Sequence, residues 1–248
     1  MKIIGIIPAR YGSTRFPGKP LELIDGVSVI QRVYEQCKKA TALQEVVVAT
    51  DDERIYKHVE GFGGLVEMTS TSHESGTDRC AEAVASLNGF EKYDYILNIQ
   101  GDEPFIRPKL INDLCEVLDF KTEIATSVKK IENIEDLENP NVVKAVLTMR
   151  MQALYFSRQA IPYLRDVPKE DWLKRATFYK HIGIYAFRSD ILTQIVKLPP
   201  NVLEQTERLE QLRWLGYGFR IQAIETKYEN IGIDTPQDLD IANRMSNK

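Results

Sequence analysis

The chain has 248 residues, 43% of them hydrophobic and 27% charged, with 32 Lys and Arg against 36 Asp and Glu and a formal net charge of −4. This length allows one large α/β domain or two small ones, and the apolar content is enough for a sizeable core and excludes a disordered chain. The mild acidity argues against the basic stripe of a nucleic-acid binder, but leaves open a small anionic ligand held by local charge.

The N-terminal stretch sets an apolar run, Ile3 to Ile7, against a cationic loop. The run is expected to be a buried strand ending at Pro8. It is too short, and too soon broken by Pro8 and Arg10, for a signal peptide. No stretch reaches the roughly 18 apolar residues of a membrane helix. The loop carries Arg10, Arg15 and Lys19, with no acidic residue before Glu22. Gly12, Ser13, Pro17 and Gly18 shape it; small residues let backbone N–H groups approach an anion, and the bases neutralise it. Neither a Walker A nor a G-x-G-x-x-G pattern is present. The stretch suits a polyphosphate cradle; the alternative is an ordinary strand-to-helix connection with solvated bases.

Further along, strand-like runs alternate with helical spacing. Val29, Ile30, Val33, Tyr34 and Cys37 fall on one helix face, and Val46 to Ala49 is a strand ending at Thr50-Asp51. Ile55 and Val59 mark a helix stopped by Gly63-Gly64, and Leu65 to Met68 is a short strand. Arg79 to Leu87 is helical, Tyr95 to Ile99 a strand, and Pro108 opens a helix with Leu110, Ile111, Leu114, Cys115 and Leu118 inward. This alternation predicts an α/β fold with a mostly parallel, doubly wound sheet, whose ligand lies beyond the carboxyl ends of the strands. Three such ends carry chemical groups: Pro8-Ala-Arg10, Thr50-Asp51 and Gln100-Gly-Asp-Glu103.

After residue 120 strands dominate: 124–128, 142–146, 153–156 and 182–187. Residues 1–248 are taken as one domain, with about 150–200 as an elaborated insert serving as lid or dimer arm. Glu204 to Leu215 is predicted as one helix with Leu209 and Leu212 inward, and 219–224 as a strand. Thr235, Pro236 and Asp238 form a capping-box-like helix entry. Cys37, Cys80 and Cys115 are far apart and in no CxxC pair, which fits small core residues in a reduced cytoplasm better than a disulfide framework.

The candidate chemistry sits on these strand ends. Asp102 emerges at the ligand edge, and Mg²⁺ takes carboxylate oxygens together with substrate phosphates. Asp234 is the best second carboxylate; the alternatives are a turn residue beside Gly101 and a helix-entry residue. Ser75, Gly76 and Thr77 could meet a base edge and Arg79 an acceptor, with a plain helix cap as the alternative. Arg158 has the planar fork that suits a carboxylate. His181 and Tyr185 lie near it on strand-like segments, where a histidine is more often structural than catalytic.

Seven motifs in order, Ile7 to Pro20, His73 to Arg79, Asn98 to Pro104, Ala153 to Arg158, His181 to Tyr185, Leu209 to Arg213 and Gly232 to Pro236, resemble the 3-deoxy-manno-octulosonate cytidylyltransferases. The match spans essentially the whole chain. The resemblance implies a nucleotidyltransferase (nucleotide-diphospho-sugar transferase-like) fold and a cytoplasmic homodimer joined through the insert. It implies a Mg²⁺-dependent conversion of CTP and Kdo into CMP-Kdo and pyrophosphate for lipopolysaccharide. It places Ala9, Arg10, Ser13 and Lys19, with Ser75, Gly76 and Arg79, on the nucleotide, the former group at the triphosphate end and the latter at cytosine. It places Asp102 and Asp234 on Mg²⁺, and Arg15, Gln100, Arg158, His181, Tyr185 and Glu210 around Kdo. On the same resemblance Lys19, Arg10 and Asp102 would carry the catalysis, and no general base stands out. Phe16 stands where Leu is frequent and Gln237 where an acid is. CMP-sialic acid synthetases, other sugar nucleotidyltransferases and a catalytically silent nucleotide-binding module are the alternatives.

Overall fold

The computed structural model describes residues 1–246 except 14 and 230. In chain order the strands are β1 (Ile3–Ala9), β2 (Leu23–Ile24), β3 (Val27–Ser28), β4 (Glu45–Thr50), β5 (Val66–Met68), β6 (Tyr95–Asn98), β7 (Ile124–Lys130), β8 (Lys144–Leu147), β9 (Ala153–Ser157), β10 (Tyr179–Arg188) and β11 (Ile221–Glu225). The helices are α1 (Val29–Lys38), α2 (Glu53–Gly61), α3 (Gly76–Ser86), α4 (Gly89–Lys92), α5 (Pro108–Cys115), α6 (Ile134–Glu138), α7 (Trp172–Arg175), α8 (Ser189–Ile195), α9 (Val202–Glu207), α10 (Gln211–Gly216) and α11 (Pro236–Ser246).

The main sheet runs β11-β7-β10-β6-β1-β4-β5. β5, β4, β1 and β6 are mutually parallel, as are β7 and β11, while β10 is antiparallel to both β6 and β7. The mostly parallel doubly wound sheet predicted from the alternation is therefore present, with one reversed strand. That strand carries His181 and Tyr185 to the middle of the sheet. β8 and β9 leave the main path as an antiparallel pair hydrogen-bonded to β10.

Both faces are covered. One apolar layer holds Ile7, Val33, Cys37, Val48, Leu97 and Leu110. The other holds Ile6, Val47, Cys80, Ile96, Phe187 and Trp214. Ile6 and Ile7, adjacent in sequence, fall in opposite layers, which is the strand period of two at work. Each fully buried aliphatic side chain contributes about 1.5–3 kcal/mol relative to an exposed one. α1 shows how the sequence specifies its place: Gln31 N–H donates to Ser28 Oγ at 3.2 Å, and Val29, Ile30, Val33, Tyr34 and Cys37 are buried, as their spacing predicts. The three cysteines are free and buried, and burial pushes their thiols up.

Several boundaries differ from the sequence reading, and two of the differences are instructive. β1 does not end at Pro8 but continues to Ala9. Pro8 is tolerated in this central strand because the β1–β6 pairing stops at Ile6↔Asn98, so the donor that proline lacks has no partner to lose there. The helix expected over 204–215 is two helices, α9 and α10, broken where Arg208 takes φ +52°. The break turns Leu209 inward, and Arg213 clamps the two pieces by donating from Nε and Nη2 to the Glu204 carboxylate at 2.7 and 2.6 Å.

Residues 131–180 pack a small core of their own from Ile131, Leu137, Trp172 and Phe178, the last two rings stacked at 5.8 Å. Lys144 is wholly buried beside it, and its ammonium donates to the carbonyls of Asn139, Val142 and Arg158 at 2.9, 2.6 and 2.6 Å. Burial depresses its pKa.

Candidate active site

The carboxyl ends of β1 and β6 open onto a cleft of about 280 Å³. Its lining gathers Ala9, Arg10, Ser13, Arg15, Lys19, Ser75, Gly76, Arg79, Gln100, Asp102 and Asp234. All the residues expected at the nucleotide and the metal thus meet there, with two of those expected at the sugar acid. Pro8, Pro20, His73, Glu74 and Gly101 line it too, none of them assigned a site role from the sequence.

The basic wall depends on Tyr11. Its carbonyl accepts the N–H groups of both Ser13 and Gly18 at 2.9 Å, folding the loop back on itself. Gly18 sits at φ +79°, and a Cβ there would lie 3.1 Å from the Tyr11 ring, so only glycine suits the position. The Arg54 guanidinium lies 3.3 Å over the same ring and is held by Asp52. The loop that carries Arg10, Ser13 and Lys19 is thereby pinned from α2.

The acidic wall depends on Gly101. A Cβ there would stand 2.5 Å from the Pro8 carbonyl, so glycine lets the loop after β6 cross the end of β1. Asp102 O then accepts Ile233 N–H at 2.8 Å, which brings the Asp234 segment alongside. Thr235 and Asp238 form the predicted reciprocal cap: Thr235 N–H donates to Asp238 Oδ2 at 2.8 Å and Asp238 N–H to Thr235 Oγ1 at 3.3 Å. Lys19 Nζ reaches both carboxylates, Asp102 Oδ2 at 2.5 Å and Asp234 Oδ1 at 3.1 Å, and Arg15 pairs with Asp234 at 3.0 Å. Two carboxylates converging on one ammonium form a ready cation site. Among the described residues no group of three metal-binding side chains occurs. The donor set fits a hard ion such as Mg²⁺ that keeps waters and takes substrate phosphates for its remaining ligands.

Ser75 caps α3, accepting Asp78 N–H at 3.1 Å, so the plain-cap reading holds as well as the pocket one. The helix begins at Gly76 rather than Arg79. A Cβ on Gly76 would approach Pro8 and Asn98 at 3.3 and 3.4 Å, which keeps the backbone close to the cleft floor. His73 hydrogen-bonds Glu82, whose carboxylate also accepts Ser70 N–H at 2.8 Å, so the 70–75 loop is tied to α3. No sequence pattern marked this pair, because its two residues come from a loop and a helix.

The remaining sugar-acid candidates lie outside the lining. Gln100 reaches toward them, donating from Nε2 to Gly183 O at 3.0 Å. His181 is enclosed between Phe156 and Tyr185, and burial lowers its pKa to about 4. Its Nε2 lies 2.9 Å from Thr126 Oγ1. The Thr126 hydroxyl proton is taken by Ile184 O at 2.8 Å, so His181 is assigned as the donor in that bond. Glu210 accepts from Thr77 Oγ1 at 2.8 Å, and enclosure of its carboxyl raises its pKa to about 7. Among the described residues, the buried Tyr185 Oη and Asn98 Oδ1 have no hydrogen-bond partner. The register sets Tyr185 opposite Asn98, so both orphan atoms belong to one patch of sheet. Arg158 is committed to carbonyls: Nε donates to Glu207 O at 2.8 Å and Nη1 to Pro140 O at 3.0 Å.

The family described as Cytidylyltransferase matches residues 4–225. A 3-deoxy-manno-octulosonate cytidylyltransferase of Bacteroides thetaiotaomicron is 54% identical over 243 residues, covering 96% of each chain. The chain belongs to the 3-deoxy-manno-octulosonate cytidylyltransferase family. Another member, from Cytophaga hutchinsonii, is 53% identical over 96% of this chain and 95% of its own. Among solved structures, a CMP:2-keto-3-deoxy-manno-octonic acid synthetase complexed with CTP superposes with TM-score 0.92 and 40% identity, covering 100% of this chain and 99% of that one. A 4-diphosphocytidyl-2C-methyl-D-erythritol synthase from Anaerococcus prevotii, at 16% identity and TM-score 0.61, shares the fold with this cytidylyltransferase-family chain.

Proposed function

We propose that this enzyme transfers a cytidylyl group from CTP to 3-deoxy-manno-octulosonate, giving CMP-Kdo and pyrophosphate, the activated sugar acid serving lipopolysaccharide synthesis. The observation that carries the proposal is the facing of the Arg10–Lys19 wall and the Asp102–Asp234 pair across one cleft. Family membership at about half identity over nearly the full chain supports the choice of substrates.

The acceptor's anomeric hydroxyl attacks the α-phosphorus, a new P–O bond forms, and the bond to the leaving pyrophosphate breaks with its electron pair on the leaving oxygen; the hydroxyl proton is released. The loop pinned by Tyr11 orients the triphosphate, and Arg10 and Lys19 neutralise charge on it, which is how phosphoryl-type transfer is mainly catalysed. Asp102 and Asp234 would hold Mg²⁺, which supplies Lewis-acid charge stabilisation when bound. Ser75, Gly76 and Arg79 select the base. Arg15, Gln100, His181, Tyr185 and Glu210 receive the sugar acid. The unpartnered Tyr185 Oη and Asn98 Oδ1 support that side of the site, since buried polar atoms without partners are rare unless a ligand satisfies them. Arg158 reaches the acceptor after leaving its carbonyls.

Two copies associate through the region about 150–200; exposed Leu154 and Tyr163 support this. A cytoplasmic site of action fits the three unpaired cysteines. The deciding assay is pyrophosphate release with CTP and Mg²⁺ over Kdo, 8-amino-Kdo and sialic acid. Turnover with Kdo or its 8-amino analogue is expected, and none with either sinks the proposal. Light scattering reads the oligomeric state.

A further inference from the structure

Asp51, at the strand end after β4, is the one chemical strand end that the site described above does not use. Its carboxylate Oδ2 accepts from Arg79 Nη2 at 2.7 Å. Arg79 Nη1 donates to Thr69 Oγ1 at 2.6 Å, and Thr69 passes its own proton to Thr50 O at 3.0 Å. Arg79 is 3% exposed yet lines the cleft, and its guanidinium is held by Asp51 and Thr69, neither of which lines the cleft. Among the described residues, no hydrogen bond uses its Nε.

We propose that Asp51, with Thr69, is a positioning residue for base selection: the two hold the Arg79 guanidinium so that its remaining N–H groups meet the edge of the pyrimidine. This rests on the nucleotide reading given under Proposed function. Arginine offers donors only and does not lose its proton. Cytosine presents two adjacent acceptors, O2 and N3. Uracil replaces the N3 acceptor with an N3–H donor, which opposes a guanidinium held in place. A guanidinium free to swing can avoid that clash, so discrimination depends on the groups behind it as much as on Arg79. An ion pair serving stability alone would leave the choice of base untouched.

The test uses the full-length enzyme with Mg²⁺. Pyrophosphate release is measured with CTP and with UTP at saturating Kdo, alongside calorimetric binding of each nucleotide, for wild type, Asp51→Ala, Asp51→Asn and Thr69→Val. Losing a hydrogen bond to a charged group lowers discrimination by about tenfold or more. Asp51→Ala is therefore expected to cut the CTP-to-UTP ratio of kcat/KM at least that much through a raised KM for CTP, with KM for Kdo unchanged. Asp51→Asn, which keeps an acceptor oxygen, falls between. An unchanged CTP-to-UTP ratio in folded Asp51→Ala overturns the inference. If that variant does not fold, an unchanged ratio in both Asp51→Asn and Thr69→Val overturns it. If wild type binds CTP but turns over no acceptor, the functional reading fails instead, and the calorimetric CTP-to-UTP ratio still decides the role of Asp51.

Discussion

Lys19 and Asp102 meet at 2.5 Å across 83 positions of sequence, with Asp234 closing the group from the far end of the chain. The ammonium proposed to serve the triphosphate thus pairs with the two carboxylates proposed for Mg²⁺. On the proposed reading, Asp102 and Asp234 would hold the ion and Lys19 would serve the triphosphate, so the ion pairs seen here would be exchanged. Asp102→Asn and Lys19→Met are each expected to lower pyrophosphate release by about 10²–10³-fold, the scale for removing one preorganised charge-stabilising group. Chelation of divalent ions is expected to abolish release in wild type and readdition to restore it. Near wild-type rates in Asp102→Asn, or full activity in chelator, would disprove the metal role.

Much of this arrangement was legible in the sequence. The three strand ends and the cationic loop follow from continuous apolar runs cut by small and charged residues. The meeting of Asp234 with Asp102 was less so. It depends on one backbone bond, Ile233 N–H to Asp102 O, that no local pattern announces. The α9–α10 break was invisible because its left-handed residue is Arg208 rather than glycine, and it is held by a Glu204–Arg213 clamp whose nine-residue spacing matches no helical pairing. The commitment of Arg158 to carbonyls was hidden for the same reason: its partners lie on segments 18 to 50 positions away.

Gly101 makes the cleft possible, because a side chain there would collide with the Pro8 carbonyl, a backbone atom that cannot rotate away. Gly101→Ala is expected to push the Asp102 loop off the end of β1. Overpacking of this kind costs about 1–3 kcal/mol. Denaturant unfolding should show that loss together with a lower kcat. A variant with wild-type stability and kcat would show that the loop tolerates the added methyl.

Phe120 sits at φ +63° and is 59% exposed, so it bears left-handed strain with little packing in return. Its carbonyl accepts from Arg188 Nη1 at 3.1 Å, a bond that survives any substitution of the side chain. Phe120→Gly is expected to stabilise by about 0.5–1 kcal/mol, the αL penalty less the entropy glycine loses on folding. In a chain of this size that is a rise of about 1–4 °C in Tm. Phe120→Ala keeps the strain and should not reproduce the gain; equal Tm for the two variants would refute the strain argument.

Glu210 and His181 pull stability in opposite directions with pH. Glu210 titrates near 4.5 when unfolded and about 7 when folded, because its carboxyl is enclosed. Its stabilising contribution is complete below 4.5 and disappears as pH rises to about 7, since the folded state holds the proton longer. His181 titrates near 6.5 unfolded and about 4 folded, again by burial. Its contribution is complete above 6.5 and disappears as pH falls to about 4. Each spans up to about 3 kcal/mol, so the two largely cancel in wild type between pH 4.5 and 6.5. Removing one exposes the other. Relative to wild type, Glu210→Gln is expected to gain stability as pH rises from 4.5 to 7, and His181→Gln to lose it as pH rises from 4 to 6.5. Urea unfolding of the three proteins at half-unit pH steps reads these differences directly. Parallel pH profiles for a variant and wild type would mean that the corresponding group titrates normally and is open to water.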